Sequence, residues 1–474
     1  MTLLIASTFG DAPTQGDGVD LIEFRIDGQT TDEVVKGIPE KLASSPCPTI
    51  VTCRSINEGG LFDGNEEERV EMYNAALTCE SPPRYIDVEY ETLIRHPLFL
   101  DSLELAETGV ILSWHDVEGR PHDLLQRAAA MQDVPNVDIV KMVWRARSLR
   151  DNLEAFALLQ SRQQPLIAMC MGEYGLMSRV LAPKFGGFAV YCAFEEHELT
   201  APNQPTVRDL QDTYRFKEIN SETAVYGVIG TNVEHSLGPV FHNNAFQIQN
   251  INAVYLPLHI NKEWEQLKAT TLELTNNGSL HFSGASVTIP HKTNMMQLAE
   301  EQDELCKAVG ATNTITNNNG TLSATNTDMQ AIKELVKDAT NALVLGSGGV
   351  ARSALAALQS LDIPTTIAAR NAASRDELCH VFECSPWHSS TQDIDLIINC
   401  TPVGMVGSDE ALTSPLDTLT PSLELDEGMT VFDTVYAPKE TPLIKHAALV
   451  GCNVIFGEIM FNKQAELQQA CWIM

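Results

Sequence analysis

The sequence predicts an α/β protein that begins with a (β/α)8 TIM barrel and continues into two further α/β subdomains. Three observations predict this architecture. Short apolar strands alternate with helix-like segments through positions 1–215. A polar stretch at 215–222 then precedes a new strand at 224–230. Finally, ALVLGSGGVARSALAAL (342–358) gives a strand, a glycine-rich turn and a helix in direct succession.

Eight segments rich in Val, Ile and Leu predict the barrel strands, and eight strands alternating with helices are typical of this fold. They are LLIAST (3–8), LIEFRI (21–26), TIVTCR (49–54), YIDVEY (85–90), VILSWH (110–115), VDIVKMV (137–143), LIAMCM (166–171) and FAVYCAF (188–194). The segment GDAPTQGDG (10–18) between the first two strands is too short for a full helix. A barrel that ends near position 215 is also small, since this fold typically takes about 250 residues.

Helical periodicity appears between most of these strands. EEERVEMYNAAL (66–77) and SLRDNLEAFALLQSR (148–162) are the examples, and Ser148 is the expected N-cap of the second. After the polar stretch, ATNTITNNNGTLSATNTD predicts a hairpin that turns at Asn319-Gly320. The segments TTIAAR, DLIINCTP and TVFDTVYAP predict further parallel strands, and EIMFNKQAELQQACW predicts a closing amphipathic helix.

These elements divide the chain into three predicted domains. The barrel covers 1–215, and a second subdomain covers 223–335 and is completed by the C-terminal helix at 457–474. A Rossmann subdomain covers 336–456. The stretch between the barrel and the second subdomain is short, so we expect the two parts to pack together rather than swing freely.

Composition and charge argue against several classes of partner and site. The formal net charge of −32 disfavours nucleic acid as a partner, because an acidic surface repels phosphate backbones. Eleven cysteines without paired spacing argue against a disulfide framework and against structural zinc, and predict a reduced, cytoplasmic location. No signal peptide is visible, and no apolar run approaches the length that a membrane span needs, so no membrane partner is expected. Oligomeric state is not readable from the sequence.

Charged side chains end most of the predicted barrel strands, where a (β/α)8 barrel carries its active site. Satisfied ion pairs explain one such residue easily, but not a set of this size on one face. The set comprises Glu23, Arg25, Arg54, Glu58, Glu89, His115, Lys141 and Arg179, followed by the loop Thr200 to Gln204.

Lys141 interrupts the apolar strand VDIVKMVW on the face that points inward. Burial and nearby cations both lower the pKa of a lysine, and a neutral amine can attack a ketone to form a Schiff base. His115 is a candidate general base, Glu58 can fix its tautomer, and the arginines can hold a carboxylate. The residues therefore predict imine chemistry on an anionic ketone, which suits aldolases and dehydratases alike.

The ordered motifs DLIEFRID, TCRSINEGG, LSWHD, the Lys141 strand, MGEYGLMSR and TAPNQ resemble type I 3-dehydroquinate dehydratase across about 20–205. The resemblance implies a metal-free reaction in which Lys141 forms the Schiff base, His115 is the general acid/base and Glu58 orients His115. It further implies substrate contacts from Glu23, Arg25, Arg54, Arg179, Thr200 and Gln204. Thr200 stands where relatives carry Ser, and it keeps the hydroxyl.

In the second half, Gly346, Gly348, Gly349 and Ala351 give a G-x-G-x-x-A turn between a strand and a helix, which predicts a dinucleotide site. The next strand ends in Arg370 rather than in an acid. Arg370, with Arg375, predicts pairing with a 2′-phosphate and therefore NADP(H) rather than NAD. Surface arginines without a ligand are the alternative interpretation.

Lys292 and Asp328 follow strands elsewhere in this half, and such a pair can relay a proton while a hydride moves. A salt bridge without chemistry is the alternative. The strings GVIGTNVEHSLGP, GASVTIPHK, GATNTI, TNTD, LGSGGVAR, INCTPVGM, DTVYAPKETPL and GEIMFNKQA resemble shikimate dehydrogenase across about 224–470. That resemblance implies Lys292 and Asp328 as the catalytic pair. It also implies a shikimate site lined by Ser236, Ser286, Thr288, Asn313, Tyr436 and Gln464. Many members carry Ser at Gly238 and Asn at Ser286, and each change alters a substrate hydrogen bond.

Together the two resemblances imply a bifunctional enzyme whose first product, 3-dehydroshikimate, is the substrate of the second step. Its expected small-molecule partners are 3-dehydroquinate, 3-dehydroshikimate and shikimate. A preference for quinate and NAD in the second step is one alternative. A non-catalytic metabolite sensor is another, but it predicts loss of the catalytic groups, and all of them are present.

Overall fold

A computed structural model describes residues 1–10, 18–195, 200–201, 203–388 and 393–473. Three sequence-based predictions touch positions outside these ranges. Most of the GDAPTQGDG segment, Pro202 within the loop at 200–204, and Met474 at the end of the predicted closing helix lie outside the described residues. Within the described ranges, each helix is too short or too polar to span a lipid bilayer.

The N-terminal part of the chain forms the predicted barrel. Its parallel strands follow one another around the sheet, with β8 next to β1. The amide of Phe188, just before β8, donates to the Leu166 carbonyl of β7 at 2.9 Å, which links the two ends of this sheet and leaves a near-closed barrel. The strands are β1 Leu3–Thr8, β2 Leu21–Arg25, β3 Thr49–Thr52, β4 Tyr85–Glu89, β5 Gly109–Asp116, β6 Ile139–Arg145, β7 Leu166–Met171 and β8 Ala189–Ala193. The predicted fold class and strand set are confirmed.

Helices connect the barrel strands from β2 onward. Those of the described ranges are α1 Thr31–Ser44, α2 Glu66–Leu77, α3 Tyr90–Arg95, α4 Leu124–Gln132, α5 Asp151–Ser161 and α6 Leu176–Val180. Helix α2 has the predicted bounds, because Asn65 and Glu68 form a reciprocal capping box at its start. The prediction of Ser148 as the N-cap of α5 is wrong. The helix begins later, at Asp151, whose carboxylate accepts the amide of Arg147 and closes the preceding turn itself.

Alternation along the strands places every second side chain inside the barrel. Aliphatic residues fill the lower part of this interior, for example Ile5, Ile50, Ile111 and Ile139. Polar side chains replace them toward the carboxyl ends of the strands. The interior is therefore a packed core beneath a polar mouth, as a barrel of eight strands requires.

The rest of the chain alternates strands and helices. The elements before the glycine-rich turn are β9 Ala224–Gly230, α7 Gly238–Ile248, β10 Ala253–His259, α8 Trp264–Asn276, β11 Phe282–Val287, α9 Lys292–Leu298, β12 Glu301–Gln302, α10 Glu304–Val309, β13 Thr314–Asn318, β14 Thr321–Thr325 and α11 Thr327–Val336. Strands β13 and β14 form the predicted hairpin. Its turn residues Asn319 and Gly320 have φ of 54° and 98°, as a type I′ turn requires.

The remaining elements form a six-stranded parallel sheet in the order β17-β16-β15-β18-β19-β20, with helices between most of the strands. They are β15 Ala342–Leu345, α12 Gly349–Gln359, β16 Thr365–Ala368, α13 Ala372–Phe382, β17 Ser385–Pro386, β18 Leu396–Asn399, β19 Thr430–Asp433, α14 Pro442–Val450, β20 Asn453–Ile455 and α15 Gly457–Ile473. This arrangement is the predicted doubly wound nucleotide-binding topology.

The chain divides into two compact units. The first contains Met1–Val225, Asn232–Ile260 and Ser279–His281. The second contains Tyr226–Thr231, Asn261–Gly278 and Phe282–Met474. The barrel lies in the first unit, together with α7 and β10. The hairpin, the glycine-rich turn and the C-terminal helix lie in the second.

Two candidate active sites

Arg54, just beyond the short strand β3, is the centre of the charged cluster in the barrel mouth. Its guanidinium donates to Asp87 Oδ1 at 2.7 Å and to Ser113 Oγ at 2.8 Å, and lies 3.3 Å from carboxylate oxygens of both Glu58 and Glu89. All five side chains are buried. Burial raises the pKa of Glu58 well above its usual value, and carboxyl groups crowded around one guanidinium favour a second cation close by.

Lys141 on β6 is that second cation. Its Nζ donates to Asp87 Oδ2 at 3.0 Å, lies 3.9 Å from Glu23 Oε1, and stands 3.8 Å from the centroid of the Tyr191 ring. Burial lowers the pKa of Lys141, and the carboxylates of Asp87 and Glu23 only partly oppose that shift. The neutral amine is therefore more accessible than in an exposed lysine, which is the direction that the sequence predicts.

His115 is held against Glu58 by two contacts. Its Nδ1 lies 2.9 Å from Glu58 Oε2, and its backbone amide donates to the same oxygen at 3.0 Å. The contact engages Nδ1, so Nε2 is the ring nitrogen left to exchange a proton with a ligand. Burial lowers the pKa of His115 well below its usual value, and the cations Arg54, Lys141, Arg25 and Arg179 add to the shift. A neutral imidazole at physiological pH is the form that a general base needs.

The lowered pKa of His115 leads to a prediction for the pH dependence of the barrel activity. A base with a depressed pKa stays unprotonated as the pH falls, so the acid limb of kcat/KM is expected well below pH 6.5, the usual histidine value. Initial rates across the acid and neutral pH range, in buffers of constant ionic strength, measure it. An acid limb centred at or above that usual value would contradict the assignment of His115 as the base.

Two further predicted residues line the mouth from β2. The Glu23 carboxylate accepts hydroxyl hydrogen bonds from Ser7 at 2.6 Å and Thr52 at 2.7 Å. The Arg25 guanidinium is held in a bidentate pair by Asp27, at 2.7 and 2.8 Å. Both side chains are buried and fixed before any ligand arrives, which lowers the entropic cost of binding one.

Arg179, Thr200 and Gln204 come from the segments that follow the last two strands. Arg179 on α6 donates to the Tyr191 carbonyl at 2.9 Å, and burial lowers its pKa to about 10. The Thr200 hydroxyl donates to Gln204 Oε1 at 3.0 Å, so these two predicted residues contact each other. Hydrogen bonds and ion pairs join five of the other predicted residues into one network: Glu23, Arg54, Glu58, His115 and Lys141.

Three residues of this network, Asp87, Ser113 and Tyr191, were not predicted from the sequence. Asp87 joins Arg54 to Lys141, and Ser113 donates to Asp87 Oδ1 at 2.5 Å. A signal for Asp87 exists in the sequence. It lies two positions before Glu89 in β4, so strand alternation puts both on the inner face.

The second site gathers around Lys292, the first residue of α9, and Asp328 in the first turn of α11. Lys292 Nζ donates to Asp328 Oδ2 at 2.5 Å, and both side chains are buried. Asn313 Nδ2 donates to Asp328 Oδ1 at 2.9 Å and to Gln464 Oε1 at 3.2 Å. Four of the predicted residues therefore form one hydrogen-bonded chain.

The other predicted substrate-binding residues of the second unit lie on β11, just after it, and near α15. The Ser286 hydroxyl donates to Gln468 Oε1 at 2.8 Å, and Gln468 Nε2 donates to the Asn313 carbonyl at 3.1 Å. Gln468, which was not predicted from the sequence, thus connects Ser286 to the hydrogen-bonded chain around Asn313. Thr288 follows β11 and donates its amide to the Ile229 carbonyl at 2.9 Å, and the Tyr436 ring packs 5.5 Å from that of Phe461.

Ser236 belongs to the first unit, where its Oγ accepts the amide of Gly238 at 3.1 Å at the start of α7. The structure gives a physical reason for glycine at position 238. A Cβ there would lie 2.9 Å from Tyr255 Cε1 and 3.2 Å from the Tyr255 hydroxyl. The tyrosine ring fills the space that a serine side chain requires, so a serine would force that ring to move.

The glycine-rich turn has the geometry of a phosphate-binding loop. Gly346 has φ of +111°, and a Cβ there would lie 3.0 Å from the Cys400 carbonyl. Gly348 precedes α12, and a Cβ built on it meets nothing within 4 Å. A Cβ on Gly349 would lie 2.9 Å from Cδ of Lys292, so glycine lets α12 begin beside that lysine. Open space at the amide end of this long helix suits a pyrophosphate. Ala351 is buried in the helix and packs it on the sheet.

Arg370 and Arg375 lie beyond β16, and the structure pairs each with an acidic residue. Arg370 is exposed and lies 3.0 Å from Glu410 Oε2, and Arg375 lies 2.7 Å from Asp376 Oδ1. Exposed ion pairs of this kind are weak, so each arginine can readily exchange its carboxylate partner for a phosphate. Their role in binding a 2′-phosphate stays a prediction. In the described ranges, no group of three or more His, Cys, Asp or Glu side chains is placed to hold a metal ion.

Comparison with known proteins adds two family matches. The family model for type I 3-dehydroquinase matches residues 12–221, and that for the shikimate dehydrogenase substrate binding domain matches residues 228–315. The chain is 31% identical to a bifunctional 3-dehydroquinate dehydratase/shikimate dehydrogenase of Arabidopsis thaliana, covering 94% of this chain and 76% of the relative. It is 34% identical to a shikimate dehydrogenase (NADP(+)) of Maridesulfovibrio salexigens, covering 52% of this chain and 90% of the relative.

Proposed function

Because this chain belongs to the family of bifunctional 3-dehydroquinate dehydratase/shikimate dehydrogenases, we propose that it converts 3-dehydroquinate to shikimate in two steps, with NADP(H) as cofactor. One observation carries the proposal. A buried lysine with a lowered pKa beside a Glu-oriented histidine, and a separate buried Lys–Asp pair near a glycine-rich turn, occur in a single chain.

In the dehydratase step, the Lys141 amine attacks the ring ketone and forms an imine with loss of water. His115 takes the adjacent proton and leaves an enamine, and then returns that proton to the departing hydroxide. Water hydrolyses the new imine and releases 3-dehydroshikimate and the lysine. Asp87 accepts a hydrogen bond from the lysine and holds it in place, and Arg25 and Arg179 supply positive charge for the substrate carboxylate.

In the dehydrogenase step, NADPH supplies a hydride to the ring carbonyl carbon when it is bound. Lys292 Nζ donates a proton to the carbonyl oxygen, and Asp328 holds that ammonium in position. Amide and hydroxyl groups that suit the ring hydroxyls come from Asn313, Gln464, Ser286 and Thr288. A role for Ser236 and Tyr436 in binding the same substrate stays a prediction.

The cofactor residues follow from the geometry of the Rossmann turn. We propose that Gly346, Gly348 and Gly349 accommodate the pyrophosphate at the start of α12, where the space beside Gly348 is open. Arg370, with Arg375, is proposed to exchange its present carboxylate partner for the 2′-phosphate of NADP(H).

The functional division of the chain is also a proposal. We propose a dehydratase domain at 1–215, a shikimate-binding subdomain at 223–335 completed by 457–474, and an NADP-binding subdomain at 336–456. All eleven cysteines are free thiols, which supports a reducing compartment. A cytoplasmic location stays a prediction, since the Arabidopsis relative is named as chloroplastic.

A coupled assay tests the proposed function. Purified protein, 3-dehydroquinate and NADPH are mixed without other enzymes, and NADPH loss is followed by its absorbance. We expect NADPH consumption that depends on 3-dehydroquinate and yields shikimate, identified by mass. Consumption with 3-dehydroshikimate but not with 3-dehydroquinate would exclude the dehydratase half, and no consumption with either would exclude the dehydrogenase half.

A further inference from the structure

Arg69 lies on the outer helix α2 of the barrel, yet its guanidinium reaches the polar cluster in the mouth. It is 3% exposed. Its Nη1 lies 3.3 Å from Glu89 Oε2 and donates to Thr92 Oγ1 at 2.7 Å. Glu66, in the first turn of the same helix, lies 3.4 Å from the same nitrogen. The guanidinium of Arg69 is therefore a buried, paired cation that contacts the charged cluster from helix α2.

Glu89 connects Arg69 to the residues of the barrel site. Its other oxygen, Oε1, accepts the Ser55 amide at 2.7 Å and an Arg54 Nη1 hydrogen bond at 3.3 Å. One carboxylate therefore joins Arg69 on its outer side to Arg54 and to the start of the 55–62 loop on its inner side. Without Arg69, Glu89 would be a buried carboxylate with one cation fewer to compensate its charge.

Arg69 also touches the end of the same loop. Its guanidinium carbon lies 4.8 Å from the centroid of the Phe62 ring. The Phe62 amide donates to the Arg54 carbonyl at 3.0 Å, and the Phe62 carbonyl accepts the Ile56 amide at 3.0 Å. These two bonds close the loop at 55–62, which carries Glu58, the partner of His115. Arg69 is thus linked to both ends of the segment that presents Arg54 and Glu58.

We infer that Arg69 is a positioning residue for the dehydratase reaction, which fixes the 54–62 segment through Glu89 and Phe62 and so sets Glu58 against His115. This inference rests on the proposed dehydratase function. The lysine that forms the imine is on β6, and its hydrogen bonds and ion pairs run to Asp87 and Glu23 rather than to Glu89. Loss of Arg69 should therefore slow the proton-transfer steps and spare imine formation.

The test uses the full chain with Arg69→Met and Arg69→Lys. For Arg69→Met we expect the dehydratase kcat to fall by about 10- to 100-fold, since a misplacement of about 1 Å can cost on the order of 10²-fold. Borohydride trapping with 3-dehydroquinate should still label Lys141 to the wild-type extent. Arg69→Lys keeps a cation beside Glu89 and should recover most of the lost kcat.

The chain supplies its own controls. The dehydrogenase rate with 3-dehydroshikimate and NADPH reports the folding of the second unit, and the extent of trapping at Lys141 reports the folding of the barrel. Arg127→Met removes an arginine of helix α4 whose side chain stacks on Trp114 and pairs with Glu91 and Asp123. Arg127→Met should leave both activities within about threefold of wild type, because rim ion pairs contribute little. An Arg69→Met kcat equal to that of Arg127→Met, or parallel losses of kcat and of trapping, would overturn the inference. Absence of trapping in wild type would instead remove the proposed dehydratase function itself.

Discussion

Replacing Lys141 with methionine is expected to lower the dehydratase kcat by at least about a thousandfold, because removing a covalent nucleophile costs this much or more in enzymes that depend on one. Methionine keeps most of the length of the side chain and removes the amine. Borohydride with 3-dehydroquinate should no longer add mass to the protein. The measurement is 3-dehydroshikimate formation by absorbance, with mass spectrometry of the trapped protein alongside it.

Two controls separate loss of chemistry from loss of structure. Lys141 and Arg54 together lower the pKa of Asp87 to about 2, against the upward effect of its burial, so methionine removes one of two cations beside a buried carboxylate. Lys141→Arg keeps a cation beside Asp87 but cannot form an imine, and it should be as inactive as Lys141→Met. Both variants should reduce 3-dehydroshikimate with NADPH at the wild-type rate. More than a tenth of wild-type dehydratase activity in either variant would rule out the imine on Lys141.

The barrel was predictable from the sequence because its strands follow simple rules. Each strand is a short apolar run, and the inward side of β6 shows Ile139, Lys141 and Val143 in strict alternation. The residues that end the strands were predictable for the same reason, since parallel strands bring their carboxyl ends together. Lys141 was conspicuous because a charged residue inside an apolar strand requires a partner.

The partners themselves were less predictable. Asp87 was not predicted, although it lies between Arg54 and Lys141, because an acid within a strand can pair with any of several cations. Even the register does not identify this partner: it pairs Glu89 with Ser113 and Ser113 with Lys141, whereas Asp87 pairs with Ile111, so the hydrogen bond from Lys141 to Asp87 runs diagonally across the strands. The role of Arg69 was even less predictable, because Arg69 reaches the mouth from an outer helix, and helical periodicity does not show which helical side chains extend into the barrel mouth.

Local capping and close packing explain the other differences between the predictions from the sequence and the structure. Serine is a favoured N-cap, which is why Ser148 is predicted as one, but the helix begins at Asp151 with Arg150 at the N-cap position and without a side-chain cap. The reason for glycine at position 238 depends on Tyr255, which lies on the following strand β10 and is adjacent only in space. Contacts of this kind depend on the packing of whole elements, and a single sequence does not encode them in any local pattern.

Replacing Lys292 with methionine is expected to lower the dehydrogenase kcat by about 10²- to 10⁴-fold, the range over which a positioned acid or base contributes to a rate. The effect should be on turnover, because Lys292 Nζ lies 2.5 Å from Asp328 and is placed to move a proton. Asp328→Asn should lose activity as well, since it keeps a polar group near Lys292 but removes the charge that holds the ammonium. Initial rates with 3-dehydroshikimate and NADPH measure both variants.

The dehydratase activity of both variants should equal that of wild type, because the barrel site shares no residue with the Lys292–Asp328 pair. Lys307→Met is the matched control, because that lysine forms an exposed pair with Glu304 on α10 and should change neither activity. A Lys292→Met enzyme that keeps most of its dehydrogenase kcat would mean that the Lys–Asp pair is a structural salt bridge. The proton for the carbonyl oxygen would then have to come from another group.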